Sequence, residues 1–187
     1  MVSAASVWNM ARASGFVAFG LLWLSVVWGL FVSTRLARGW PGAAQSIDLH
    51  EHLSFLALGF TLLHVLVLAL PVEHGFTLAE LLIPFAAHRD RMLLGIGQLA
   101  FELSAVVTLS FYVRKRIGAR VWRVLHLTTL LAYAGALLHA ALLGTDSSAF
   151  GVRLYYYATT GVALFLLLFR IGSAFGERSA RRRVTVD

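Results

Sequence analysis

Residues 49–70 read LHEHLSFLALGFTLLHVLVLAL: after a short polar opening the run is apolar to its end, interrupted by His64 and preceded by His50. Twenty-two residues at the helical rise span about 33 Å, enough to cross the ~30 Å hydrocarbon core of a bilayer. Four further stretches share this length and character, residues 15–34, 92–113, 121–143 and 151–169. The expected fold is an all-α integral membrane protein, a bundle of about five transmembrane helices, because only self-satisfied helices span lipid at such composition.

Composition agrees. Hydrophobic residues make up 59% of the 187 positions and charged residues only 13%, too apolar for a soluble domain of this size. There is no cysteine, so disulfides, thiolate zinc sites and iron–sulfur clusters are excluded, and any metal must be held by histidine or carboxylate. The net charge of +7 does not point to nucleic acid, since the arginines sit between apolar runs rather than in a basic patch interleaved with aromatics. The first apolar run exceeds a signal-peptide core and is followed by no clean small-residue cleavage site, so it is read as a span.

Orientation follows from the basic residues. Arg35 and Arg38 follow the first span, Arg114, Lys115, Arg116, Arg120 and Arg123 fill the connection before the fourth, and Arg170, Arg178, Arg181, Arg182 and Arg183 close the chain, 12 of the 16 basic residues in all. The opposite face holds Arg12, Arg89, Arg91 and Arg153. The N-terminus is therefore expected outside and the C-terminus in the cytoplasm. The chain divides into an N-terminal outer segment (1–13), the bundle (14–172) and a basic cytoplasmic tail (173–187) too short and polar to fold alone. Tyr155, Tyr156 and Tyr157 fit an interfacial aromatic belt. The long outer connection, residues 71–91, contains Thr77-Leu78-Ala79-Glu80, a capping box opening a short apolar segment that stops near Pro84 and is expected to lie on the membrane surface.

Four of the seven histidines fall inside spans. His50 and His64 are 14 apart on the second, and His126 and His139 are 13 apart on the fourth. Fourteen residues separate two side chains by ~21 Å along a helix and return within ~40° of the same face, whereas histidines sharing one metal sit three or four apart. Cross-helix pairing gives two bis-imidazole sites, an inner one from His50 and His126 and an outer one from His64 and His139, suited to two b-type haems at different depths. Thirteen residues leave His139 about 140° off the face of His126 in an ideal helix, so the fourth span needs overwinding or a kink, expected at Gly135. Small residues between the histidines (Ser54, Ala57, Gly59 and Thr61; Thr128, Thr129, Ala132, Ala134, Gly135 and Ala136) leave room for flat rings and also promote helix packing. Two other readings of the histidines are hydrogen-bonded core residues and a zinc or copper pathway; matched ionisable pairs inside spans favour ligation, and the separation in depth favours haem.

The pattern His-x13-His on one helix and His-x12-His two helices later resembles the ferric reductase-like transmembrane domain shared by ferric reductases and NADPH oxidases. Trp122-Arg123-Val124-Leu125-His126 and Gly144-Thr145-Asp146 are similar to bacterial members, and the resemblance runs from about residue 14 to 169. It implies that His50, His64, His126 and His139 each donate an axial nitrogen to one of two haems b. It further implies a place in a bacterial cytoplasmic (inner) membrane and electron transfer from the cytoplasmic side to an outer acceptor such as ferric iron or oxygen. Larger members carry an additional N-terminal helix and a C-terminal flavin/NADPH domain. Here neither a sixth span nor a glycine-rich dinucleotide loop is seen, so no flavin site is expected, and the chain reads as an oxidoreductase component served by a separate donor protein or by quinol on the cytoplasmic side.

Arg123, three residues before His126, is the best candidate for an inner haem propionate, with Arg35 and Arg38 behind it, although positive-inside topology also explains all three. Arg89, Arg91 and Arg153 are candidates outside. Glu102, within the third span, is a candidate proton relay or brace. His52 reads as interfacial, and His74 and His88, with Glu73 and Asp90, as solvated loop residues before a metal-collecting site. The arginines at 181–183 read as a membrane-surface anchor. Two further functional classes are a quinone-linked cytochrome b membrane-anchor subunit of a larger redox complex, and a non-redox membrane scaffold or metal permease.

Overall fold

The computed structural model describes residues 3–34, 41–71 and 75–184, the last eight of these by backbone alone. It is all-helical, with no strand among the described residues. The helices are α1 (Ala4–Ser33), α2 (Ala43–Leu68), α3 (Leu78–Leu82), α4 (Arg91–Ile117), α5 (Ala119–Leu127), α6 (Thr129–Leu143) and α7 (Phe150–Val184). Taking α5 and α6 as one broken span, five are long and apolar enough to cross a membrane.

The ends differ from the sequence boundaries. Ser3 caps α1, its hydroxyl accepting from Ser6 N–H at 3.1 Å, so most of the expected outer segment is the opening of the first helix. At the other end α7 continues through the expected tail to Val184. No proline interrupts that stretch, and Ala, Arg and Glu are good helix formers. Between the spans, α3 is opened by the capping box: Thr77 accepts from Glu80 N–H at 3.2 Å while the Glu80 carboxylate accepts from Thr77 N–H at 3.0 Å. Leu78, Leu82 and Ile83 of this segment are exposed, and Leu81 is buried. Phe85, at φ 64°, turns its ring onto Gly95 of α4, where any Cβ would collide with it.

Large apolar side chains line the outside of the bundle, among them Leu131, Tyr157 and Phe165, the distribution expected when the surrounding solvent is not water. Inside, α1 and α2 pack along their length, as do α4 and α6, and α7 lies on α1. The principal core joins Phe19 and Val26 of α1, Tyr133 of α6, and Tyr156 and Ala163 of α7. Indole donors lock α1 into place, Trp23 Nε1 to Thr159 O at 2.8 Å and Trp28 Nε1 to Ser46 O at 2.9 Å. The aromatic belt expected of Tyr155–Tyr157 is accordingly corrected: only Tyr157 is exposed (73%), while Tyr156 is buried (7%) against Phe19 and Tyr155 is half-buried beside it. Consecutive positions on a helix face different ways, and α7 turns residue 156 onto α1 and α6.

The break in the fourth span falls at Thr128, not at Gly135. Thr128 N–H donates to Leu125 O and Leu131 N–H to Thr128 O, both three-residue bonds of a tightened turn. The hydroxyls of Thr128 and Thr129 donate to the carbonyls three residues back, Leu125 and His126. Tightening rotates the helix in the direction the 13-residue spacing demands and supplies part of the missing angle. Gly135 instead faces α4, where an added Cβ would lie 3.3 Å from that of Ala100.

Candidate paired-histidine centres

The two histidine-bearing helices do not pack along each other; α1 and α4 stand beside them, and the imidazoles reach across. The rings of His50 and His126 have centroids 5.9 Å apart at 80°, and those of His64 and His139 are 6.5 Å apart at 83°. Each ring is half-buried. His64 meets the N-terminal half of α1 and His139 the opening of α4, so this pair sits at the end of the bundle that carries Arg12 and Asp146. His50 and His126 sit at the other end, where α4 turns into α5.

Neighbouring helices hold three of the rings. Nδ1–H of His64 donates to Ala11 O at 2.7 Å, that of His139 to Leu93 O at 2.9 Å, and that of His50 to Ser25 O at 3.0 Å. Carbonyls only accept, so in each of these rings Nδ1 carries the proton and the neutral imidazole is left with a bare lone pair on Nε2. No hydrogen bond to a described residue engages Nε2 in any of the four. His126 is held differently, its ring stacked on Trp122 at 5.0 Å and 24°.

Residues 6–146 match the family described as a domain of unknown function, DUF8596. The chain belongs to that family. All four paired histidines, their carbonyl acceptors and Asp146 lie inside the DUF8596 match, whereas α7 lies beyond it. No curated protein and no solved structure matches the chain.

The other sequence candidates stand apart from the rings. Arg123 is exposed and makes no hydrogen bond or ion pair with a described residue; Arg35, Arg38, Glu73 and His74 lie outside the described residues. Arg91, Arg153 and Glu102 are exposed. His52 turns away from the His50–His126 pair, its Nδ1–H donating to Asp48 O at 2.7 Å. His88 is exposed, and its backbone N–H donates to the Glu80 carboxylate. No group of three or more His, Cys, Asp or Glu poised for a metal ion occurs among the described residues. An open apolar crevice between α1 and α7, lined by Phe16, Gly20, Gly151 and Tyr155, includes none of the histidines.

Sequence reading missed the acceptors Ala11, Ser25 and Leu93 and the glycines that admit the rings. An added Cβ would come within 3.1 Å of His64 at Gly15, 3.1 Å of His50 at Gly29 and 2.5 Å of His139 at Gly97. A signal was present: Gly15 and Gly29 are 14 apart, the spacing of His50 and His64.

Proposed function

We propose that this DUF8596 protein is a transmembrane electron conduit that holds two b-type haems, an inner one between His50 and His126 and an outer one between His64 and His139. The observation that carries the reading is the outer pair. Both of its imidazoles spend their Nδ1 protons on backbone carbonyls, so two lone pairs remain and the rings have no hydrogen bond to offer each other. A Lewis acid between them resolves that arrangement. Two imidazoles bound from opposite sides through bonds of about 2 Å, each nitrogen about 1 Å from its ring centre, bring the centroids roughly 6 Å apart; the pairs stand at 5.9 and 6.5 Å. Two ligands per site, with two sites about 21 Å apart along α2, favour haem over a multidentate zinc or copper site.

When bound, the haems supply one-electron redox chemistry at two depths. The carbonyls of Ala11, Ser25 and Leu93 would fix the orientation of His64, His50 and His139 and raise the basicity of the nitrogens that would hold the haems, while the apolar helices around them would exclude water. The excess of arginine at the His50–His126 end, Arg114 to Arg123, favours that end as cytoplasmic, with the N-terminus outside. Electrons then enter from a cytoplasmic donor, a separate protein or quinol, and leave outward to an acceptor such as ferric iron. Moving an electron outward against an inside-negative potential costs about 2.3 kcal/mol per 100 mV, so the acceptor side must be the more oxidising.

The test is a dithionite-reduced minus oxidised spectrum of the purified protein, with pyridine haemochrome quantitation. Two haems b per chain are expected. His64→Ala and His139→Ala should each remove the same haem, and His50→Ala and His126→Ala the other. A preparation without haem sinks the reading, and loss of haem in any other grouping refutes the pairing.

A further inference from the structure

Three of the paired histidines reach a carbonyl of a neighbouring helix beside a glycine four residues further on: His64 at Ala11 and Gly15, His50 at Ser25 and Gly29, His139 at Leu93 and Gly97. A helical carbonyl points along the axis toward the N–H of residue i+4, and the Cα–Cβ bond of i+4 tilts back over it. Glycine at i+4 therefore leaves the carbonyl of each receptor open to a second donor. At the two receptors on α1 a buried serine hydroxyl joins the bond, and the two hydroxyls have opposite polarity.

At the Ala11 receptor the hydroxyl is a donor. Ser14 Oγ–H is shared between Met10 O at 2.7 Å and Ala11 O at 3.0 Å. The carbonyl that accepts from His64 thus accepts part of a hydroxyl proton as well, which draws its electron density away from the imidazole N–H.

At the Ser25 receptor the hydroxyl is an acceptor. Ser54 Oγ–H donates to His50 O at 2.8 Å and so spends its one proton; in the 2.8 Å contact between the two serines, Ser25 donates and Ser54 accepts. With its proton turned to Ser54, Ser25 Oγ presents a lone pair to His50 Nδ1 at 3.4 Å, beside the Ser25 carbonyl at 3.0 Å. The His50 N–H is forked between two oxygens of one residue.

We propose that Ser14 and Ser25, the latter aimed by Ser54, are positioning residues that set the two haem potentials in opposite directions, Ser14 raising that of the His64–His139 site and Ser25 lowering that of the His50–His126 site. The inference rests on the haem reading above. A stronger acceptor at Nδ1–H makes the imidazole a richer donor to iron through Nε2 and favours the ferric state, which carries the additional positive charge. A weaker acceptor does the reverse. The two hydroxyls together widen the step in the direction that carries electrons from the His50–His126 end to the His64–His139 end.

Redox titration of the purified two-haem protein reads both potentials, the haem missing from His64→Ala identifying one midpoint and that missing from His50→Ala the other. Ser14→Ala, which returns the Ala11 carbonyl to His64, should lower the first midpoint and leave the second. Ser25→Ala, which keeps the carbonyl and removes the hydroxyl, should raise the second and leave the first. Each shift should change the ferric-to-ferrous ratio at the original midpoint by about twofold to tenfold, the range one net hydrogen bond supplies. Ser54→Ala should also raise the second midpoint, and adding it to Ser25→Ala should do nothing further, because Ser54 acts only through Ser25. Ser33→Ala, which removes a hydroxyl that donates to Leu30 O at the end of α1, should move neither. The haem-free protein with isotopically labelled histidine gives a second readout: Ser14→Ala should move the His64 imidazole N–H proton resonance downfield, and Ser25→Ala should move that of His50 upfield. Midpoint shifts of the same sign, or both midpoints moving together in one variant, overturn the inference. A preparation without haem refutes the reading beneath it, whereas unmoved N–H resonances overturn the serine assignment whether or not haem is present.

Discussion

Arg12 and Asp146 are joined by an ion pair of 2.7 Å across 134 positions of sequence. Arg12 follows Ala11, whose carbonyl holds His64, and Asp146 lies just past α6, which carries His139, so the contact ties the support of one histidine to the helix that carries its partner. A second bond, from Arg12 to Asn9 Oδ1 at 2.6 Å, keeps the guanidinium in place. Both members of the ion pair are more than one-third exposed (36% and 38%), where screening holds such a pair to about 0–1 kcal/mol. Asp146→Asn is expected to lower the melting temperature in detergent by no more than about 3 °C, with the difference shrinking at high salt. A loss several times larger, independent of salt, would show that the contact is a structural keystone instead.

The glycine receptors rank by the space they leave. At Gly97 an added Cβ meets the His139 ring at 2.5 Å, so Gly97→Ala must push that ring away, at a cost of about 1–3 kcal/mol. At Gly15 and Gly29 the nearest approach is 3.1 Å, and the ring yields by a few tenths of an ångström. Haem retained after purification should fall most for Gly97→Ala, less for Gly15→Ala and Gly29→Ala, and not at all for Gly59→Ala, where nothing lies within 4 Å. Equal losses across the set would refute the steric ranking.

Hydrogen bonds from the Thr77 N–H and hydroxyl hold the Glu80 carboxyl below the usual carboxylate range, with the His88 N–H adding to them. A depressed folded-state value means that the box contributes fully above the unfolded value, about 4.3, and that its contribution is lost as pH falls through the folded one. The Thr77 amide resonance of the labelled protein should therefore titrate with a midpoint below the ordinary glutamate range. In Thr77→Ala the Glu80 side-chain carboxyl resonance should titrate at the ordinary value, and an unmoved midpoint there would rule the box out as the cause.

Glu102 stands near the middle of α4 on its exposed side and makes no hydrogen bond or ion pair with a described residue. A proton relay to either proposed haem site needs continuity that this position does not provide. Glu102→Gln should leave both haem potentials and their pH dependence unchanged in redox titration. A shift in either potential would return Glu102 to the electron-transfer machinery.

The five long helices were legible because a lipid-length apolar run is written directly into residue order, as at 49–70. His64 and His139 stood out against the same background, each being an ionisable residue deep inside such a run. Helix ends were less legible: Ser3 caps α1 through one hydroxyl, a signal that weighs little beside the mixed residues that follow it. The 13-residue spacing announces overwinding but does not locate it: the turn falls at Thr128 and not at Gly135, because two adjacent threonines compete for the backbone carbonyls. The carbonyl of Leu93 could not be read at all, since whether a backbone oxygen is open depends on what packs four residues later and which helix lies alongside.

The pairing of α1 with α2 carries a built-in proofreading step. Ala11 and Gly15 serve His64, and Ser25 and Gly29 serve His50, with the same offset at both stations. A slip of one residue turns a helix by about 100° and takes both stations out of alignment together. Each imidazole N–H then stands without its acceptor, at about 1–3 kcal/mol apiece. Misregistered hairpins are thus rejected twice over, and a hairpin that has accepted one histidine has already aimed the other.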